Sequence, residues 1–401
     1  MRIYSASSEE TLRTRTLLKD WADEGFLTQA QYERLEKETI PDLRTTNIYL
    51  RTVLFLFTLI SVCGAAALFF EVFLSHPSDQ TSGGFLLVFA AAFYVAAEVA
   101  ATRVRLYRFG IEEALAACAV GYLCVGMLLA FFSGGSSSGS HQSEAFVLGI
   151  GAASSLWIWH RFGYSYAFLA AMIFVAFLPG YWTSSQAAER LIIAAFYAIG
   201  VAMVAAMRSR HYFDYLEDSY SAAEALLWLG IYLALNLRLL SLIPSRLWWA
   251  VAPPAPQVVK PFYWTTWVLI WCLPVGVLVR GIRLRDRYVI AIGGIVAVLT
   301  LVSNKPYLGW PRHTWDPMIL GVVLTAVALL SRRWLASGPN GIRHGFTAAR
   351  ISAKDKHLAN AAAAAFGLVS SQAATAGQHT TTQEVRFEGG RSGGGGASGS
   401  Y

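Results

Sequence analysis

About ten apolar stretches follow one another between residues 50 and 335, each close to the roughly 20 residues that cross a ~30 Å hydrocarbon core as helix. A chain patterned this way folds in a bilayer or not at all. Lipid offers no partner to a bare peptide group, so each stretch is predicted to be helical. The stretches run at about 50–74, 84–102, 112–132, 144–160, 164–182, 189–207, 220–242, 260–280, 287–304 and 316–335. Only 14% of residues are charged and the mean hydropathy is +0.45, which excludes an ordinary water-soluble domain.

The connections decide the orientation. The first and third hold no Lys or Arg, and they include His76-Pro77-Ser78-Asp79 and Gly134-Gly135-Ser136-Ser137. The second carries Arg103, Arg105 and Arg108, the fourth Arg161, the sixth Arg208 and Arg210, and the eighth Arg280, Arg283, Arg285 and Arg287. Arginine on alternate sides, with more before the first stretch and after the last, predicts both termini in the cytoplasm of a bacterial inner-membrane protein. The net charge of +7 has the same source, so it does not point to nucleic acid. Trp182, Trp248, Trp249, Trp310 and Trp315 are expected as an outer belt, and Pro244 to Pro261 as an extended cap along the headgroups.

Three regions are expected: a cytoplasmic helical hairpin over 1–45, an all-α polytopic bundle over 46–336, and a disordered Gly-rich tail over 337–401. The polar start holds no cleavable signal, so the first stretch must direct insertion. In the hairpin, Ser7-x-x-Glu10 and Thr28-x-x-Gln31 read as capping boxes, Gly25 separates two helices, and Pro41 stops the second. Leu27 and Tyr32 stand at the staple positions of that second helix. The run from Leu17 to Leu35, with Trp21, Leu27, Tyr32 and Leu35 as its apolar marks, resembles the cytoplasmic hairpin heading a family of bacterial multi-spanning membrane proteins of unknown function. It is also similar to the short oligomerisation hairpins called SHOCT. The resemblance implies docking onto a protein partner or a second copy and carries no catalytic residue; packing on the inner membrane surface is the alternative.

Ionisable groups at membrane depth are the natural suspects for function. Glu98 is read as the deepest clear carboxylate, either a proton or cation site or the partner of Arg103 or a neighbour. Glu112 and Glu113 are explained by the nearby arginines. Toward the outer side, Glu71, Glu144, Glu189, Arg190, Asn236, Arg238 and Asp316 lie at similar depth on five stretches, forming either a polar vestibule or a peripheral ring. Trp264, Trp267 and Trp271 recur at helical spacing beside Pro274, on a face turned to lipid or to a cavity. The scattered His141, His160, His211 and His313 and the apolar Cys63, Cys118, Cys124 and Cys272 lack metal-ligand spacing, and no phosphate loop is present, so no metal or cofactor is expected.

Three functions follow: a membrane scaffold, sensor or assembly component; a secondary transporter of a small solute, for which ten spans divide into five plus five; or an intramembrane enzyme acting on a lipid-linked substrate. A cavity lined by Glu98, Asn236 or Arg238 would favour the last two, and a closed bundle the first.

Overall fold

The computed structural model of the chain describes residues 2–23, 25–40, 42–73, 78–132, 140–211, 217–239, 260–310, 313–338, 342–343 and 346–347. The proposed headgroup cap at 244–259, with Trp248 and Trp249, lies outside these residues, as does the tail from 348 onward. The described residues form an all-α protein. Two helices precede the bundle, α1 (Ala6–Asp23) and α2 (Gln29–Glu38). The bundle is built of α3 (Ile48–Phe73), α4 (Asp79–Thr102), α5 (Ile111–Phe132), α6 (Ser140–Phe162), α7 (Ser165–Phe177), α8 (Gln186–Arg210), α9 (Glu217–Leu235), α10 (Lys260–Leu284), α11 (Arg287–Leu308) and α12 (Asp316–Ala336). A 3₁₀ turn, Leu178–Tyr181, extends α7 at Pro179-Gly180, and a two-residue antiparallel pair, Ile342–Arg343 with Phe346–Thr347, follows α12.

A helix therefore stands on each of the ten apolar stretches. Seven of them, α3, α4, α5, α8, α10, α11 and α12, are long and apolar enough to cross a membrane. The other three are shorter or more polar: α7 has 13 residues, α6 opens on Ser-His-Gln-Ser-Glu, and α9 carries Glu217, Asp218 and Glu224.

Successive helices reverse direction, which sorts the chain into two ends. Contacts place the starts of α3, α5, α7, α9 and α11 with the ends of α4, α6, α8 and α10 at one end, which carries most of the arginines. The start of α8, the end of α9, the start of α10 and the end of α11 gather at the other. The core has four parts, the smallest of which, Ala225, Val277 and Val289, joins α9, α10 and α11. Phe168, Met172, Tyr197, Val201, Leu227 and Ile231 join α7, α8 and α9. Tyr232, Ile270, Val296 and Tyr307 join α9, α10 and α11. Ala97, Ala116, Ile158, Phe162, Tyr164 and Ala167 join α4 to α7, and Tyr4 and Leu43 from outside the bundle pack onto them. On α3 only Ala66 is buried, and on α12 no residue is.

The capping chemistry explains the hairpin. Thr28 and Gln31 form the expected box, Gln31 N–H donating to Thr28 Oγ1 at 3.4 Å and Thr28 N–H to Gln31 Oε1 at 2.9 Å. The first box is corrected: α1 begins two residues early because Ser5, not Ser7, accepts from a first-turn amide, that of Ser8, at 3.2 Å. Gly25 turns the chain with φ 78°, which glycine adopts without a Cβ clash. Arg15 then pairs with Glu36 across the two helices at 2.6 Å.

Candidate functional site

Three polar assemblies lie within the bundle, two at the arginine-rich end and one opposite.

The first joins α8, α9, α10 and α11. Glu224 stands seven residues into α9 and is 0% exposed. Its Oε2 accepts from Arg208 Nη1 at 3.3 Å and its Oε1 from Arg280 Nε at 2.5 Å. Arg208 also meets Asp286 at 2.5 Å and Glu217 at 3.7 Å. Asp286 caps α11, accepting from the amides of Tyr288 and Val289, and accepts from the Ser221 hydroxyl. Two cations and two buried anions thus balance, with Glu217 at the margin, and hydrogen bonds fill most of their remaining capacity, as an ion cluster away from water requires.

This assembly corrects the sequence reading twice. Arg208 and Arg280 are not simply loop charges orienting helices; they point inward and clamp α9. The deepest carboxylate is Glu224, not Glu98, which lies four residues from the end of α4 and is paired with Arg161. The signal for Glu224 was present in Ser221-Ala222-Ala223-Glu224-Ala225-Leu226-Leu227-Trp228, an acid one turn inside an apolar stretch and two turns inside α9.

The second assembly, at the opposite end, contains three of the predicted vestibule residues, Arg190, Asn236 and Arg238. Asn236 Nδ2 donates to Tyr232 OH at 2.8 Å and to Ser303 Oγ at 2.9 Å, while its Oδ1 accepts from the Arg238 amide at 3.1 Å. Arg238 Nε donates to Tyr263 OH at 3.2 Å, and Tyr263 OH donates to Tyr307 O at 2.8 Å. Tyr307 OH accepts from the Leu237 amide at 2.7 Å, and Arg190 Nη1 donates to Ala234 O at 3.1 Å. These groups tie off the last turn of α9, whose carbonyls and following amides have no helical partners. The other predicted members are engaged elsewhere. Asp316 pairs with Lys305 and accepts from the His313 amide, Glu144 faces Tyr181, and Glu71 is exposed on α3. On α10, Trp264 and Trp271 are exposed, whereas Trp267 turns inward to donate to Asn304 at 3.0 Å. Asn236→Ala removes both donors and the acceptor at once and is expected to lower stability by about 1–2 kcal/mol, read as a lower Tm of the detergent-purified chain.

The third assembly joins the N-terminal region to α4–α7. Ile3 N–H donates to Arg161 O at 2.9 Å, Tyr4 OH donates to Leu106 O at 3.0 Å, and the Tyr4 and Tyr107 rings meet edge to face at 4.9 Å. Beyond the hairpin, Arg44 exchanges backbone hydrogen bonds with Arg105 and Tyr107 at 2.8 and 3.0 Å, and Asp42 pairs with Arg105 at 3.2 Å. Burial pushes the Tyr4 and Tyr107 phenols above their ordinary range, so both remain neutral donors. Beneath them Glu113 takes a bidentate pair from Arg51, at 2.8 and 2.5 Å, rather than from the loop arginines expected. The hairpin is therefore held at both its ends. Of its predicted interaction residues, Leu27, Tyr32 and Leu35 are half-buried, while Trp21 is 48% exposed beside Phe26 at 67%.

Seven helices long and apolar enough to cross a bilayer mark an integral membrane protein. Comparison with protein-family models, curated proteins and solved structures returns no match.

Proposed function

We propose that the chain is a multi-pass scaffold, sensor or assembly component of a bacterial inner membrane, with about ten spans and both termini in the cytoplasm. The observation that carries this reading is the hairpin. It is tethered before α1 and after α2 to the loops of the bundle, yet it leaves Trp21 and Phe26 in solvent. A module serving only to cover the bundle would turn those rings inward, because a buried aromatic side chain gains more than a polar one. The resemblance of the Leu17 to Leu35 run to docking hairpins supports the same reading. So does the engagement of Glu98, Asn236 and Arg238 by internal partners, which leaves their polar groups occupied.

The test is crosslinking of the full chain in native membranes. Trp21→Asp with Phe26→Asp is expected to abolish crosslinks through the hairpin while leaving insertion and Tm unchanged, since both side chains are exposed. Undiminished crosslinking would overturn the docking role.

Secondary transport of a small solute is the second reading, favoured by the Arg208, Arg280, Glu224 and Asp286 cluster. It links four helices at one end, where alternating access needs a contact that can open. On that reading, solute flux in proteoliposomes falls when the cluster is weakened by Arg280→Gln.

A further inference from the structure

A groove of about 370 Å³ runs between α4 and α6, with α5 as its floor. It exists because the residues along it are short. Ala90 and Ala91 on α4, Ala119 on α5 and Ser154 on α6 line it, where longer side chains would close the space. Of the side chains along it, those of Tyr94, Ser154 and Trp157 alone hold a polar atom, and the Ser154 hydroxyl is turned back to Gly151 O on its own helix at 3.1 Å.

Toward the arginine-rich end the groove is blind. Trp157 Nε1 on α6 donates to Tyr94 OH on α4 at 2.9 Å, and one turn further along both helices Arg161 pairs with Glu98. Behind these two bridges the buried Ala97, Ala116 and Phe162 fill the space between the helices. Along its side the groove stays open, and Ala91 and Trp157 are exposed there.

Chemistry decides what fits. The walls belong to helices apolar enough to cross a bilayer, so the open side faces hydrocarbon, and a hydrophilic solute would lose its water there without finding partners. A partner helix is too bulky, since one turn about 10 Å across and 5.4 Å tall takes up roughly 420 Å³. A single hydrocarbon chain fits. Its polar end is set by Tyr94, whose oxygen accepts from Trp157 and whose hydrogen, among the described residues, goes to no acceptor. Trp157 stands five residues before Phe162, the last of α6, which places the pair about 8 Å inside that end. That is the interfacial zone where tryptophan and tyrosine gather in membrane proteins and where a phospholipid carries its ester carbonyls. A carbonyl accepts without donating, which matches the one donor on offer.

We propose that this groove seats one acyl chain of a phospholipid from the leaflet at the arginine-rich end, with Tyr94 OH donating to the ester carbonyl of that chain. The proposal rests on neither the assembly nor the transport reading, and each can fail alone.

The experiment reconstitutes the full chain into vesicles of dioleoylphosphatidylcholine and its ether-linked analogue in equal amounts, extracts it in mild detergent and counts the lipids it retains by native mass spectrometry. Ala91→Phe fills the groove and is expected to lower the mean number retained by one. Val88→Phe adds the same ring at an exposed position of α4 outside the groove and should leave the number unchanged. The lipid lost in Ala91→Phe should be, in the parent chain, the ester form over the ether form by about fivefold, the worth of one hydrogen bond. Tyr94→Phe keeps the ring and should bring the two forms to equality. Should Ala91→Phe not fold, the ester preference and its loss in Tyr94→Phe carry the test. An unchanged count in a folded Ala91→Phe, an equal loss in Val88→Phe, or an ester preference that is absent from the parent chain or survives in Tyr94→Phe overturns the proposal.

Discussion

Arg208→Ala is expected to lower the stability of the bundle by about 3–5 kcal/mol, the usual consequence of removing one partner from a buried ion cluster. Among the described residues Arg208 is the one cation paired with Asp286, and it shares Glu224 with Arg280. Without it Asp286 keeps the Ser221 hydroxyl and two backbone amides but loses its counter-charge. The measurement is Tm in detergent together with the monodisperse fraction on gel filtration. Arg208→Lys should fall between the two, since a single ammonium group cannot reproduce the fork that reaches several carboxylates. Arg208→Ala with Asp286→Asn should recover a substantial part of the loss, and that coupling separates a stranded charge from a simple cavity. A loss below about 1 kcal/mol for the single variant would mean that water reaches the cluster and that it contributes little.

Gly83→Ala is expected to separate α4 from α5. A β-carbon at position 83 would lie 2.2 Å from Ala130 N, 2.6 Å from Ala130 Cα and 2.7 Å from Gly126 O. All three are backbone atoms, so no side chain can turn aside to make room. Gly126 is crowded in return, with a β-carbon there 3.0 Å from Leu87 N. Close backbone approach between small residues is a main source of helix association in lipid. The expected cost is about 2–3 kcal/mol or more, read as a fall in Tm. Gly84 is the internal control. A β-carbon there meets nothing within 4 Å, so Gly84→Ala should be neutral or slightly stabilising. Equal behaviour of the two variants would show that the helix pair tolerates separation.

The sequence made the helices legible because bilayer thickness and hydropathy act on single stretches, and a helix indeed stands on each of the ten. The hairpin was legible for a similar reason, since the Thr28 and Gln31 capping box and Gly25 act over a few residues. Its start was misplaced by two residues because Ser5, Ser7 and Ser8 all offer capping oxygens and only geometry selects Ser5. The ionic sites were less legible. A charge at a span end reads as a snorkelling or orienting residue whether it faces lipid headgroups or a neighbouring helix, which is how Arg208 and Arg280 passed as loop charges. Glu71, Glu144, Asn236, Arg238 and Asp316 were grouped by their depth along the stretches alone. Depth leaves the angle around the bundle open, and Asp316 turned to Lys305 while Asn236 turned to Ser303. The Gly83 and Gly126 contact leaves no spacing signature in the sequence, because the two residues lie on different helices.

Helix α12 buries no residue against its own chain, and its start is held by the Lys305 and Asp316 ion pair and by Lys305 over the Trp315 ring at 5.7 Å. Its 21 residues span about 31 Å, close to the hydrocarbon thickness of an average bilayer. Among the described residues none buries a side chain of α12 along its length, so its tilt answers to the lipid. In bilayers of two thicknesses α12 is therefore expected to lean by different angles about its tethered start, which an orientation measurement on a label within it would read.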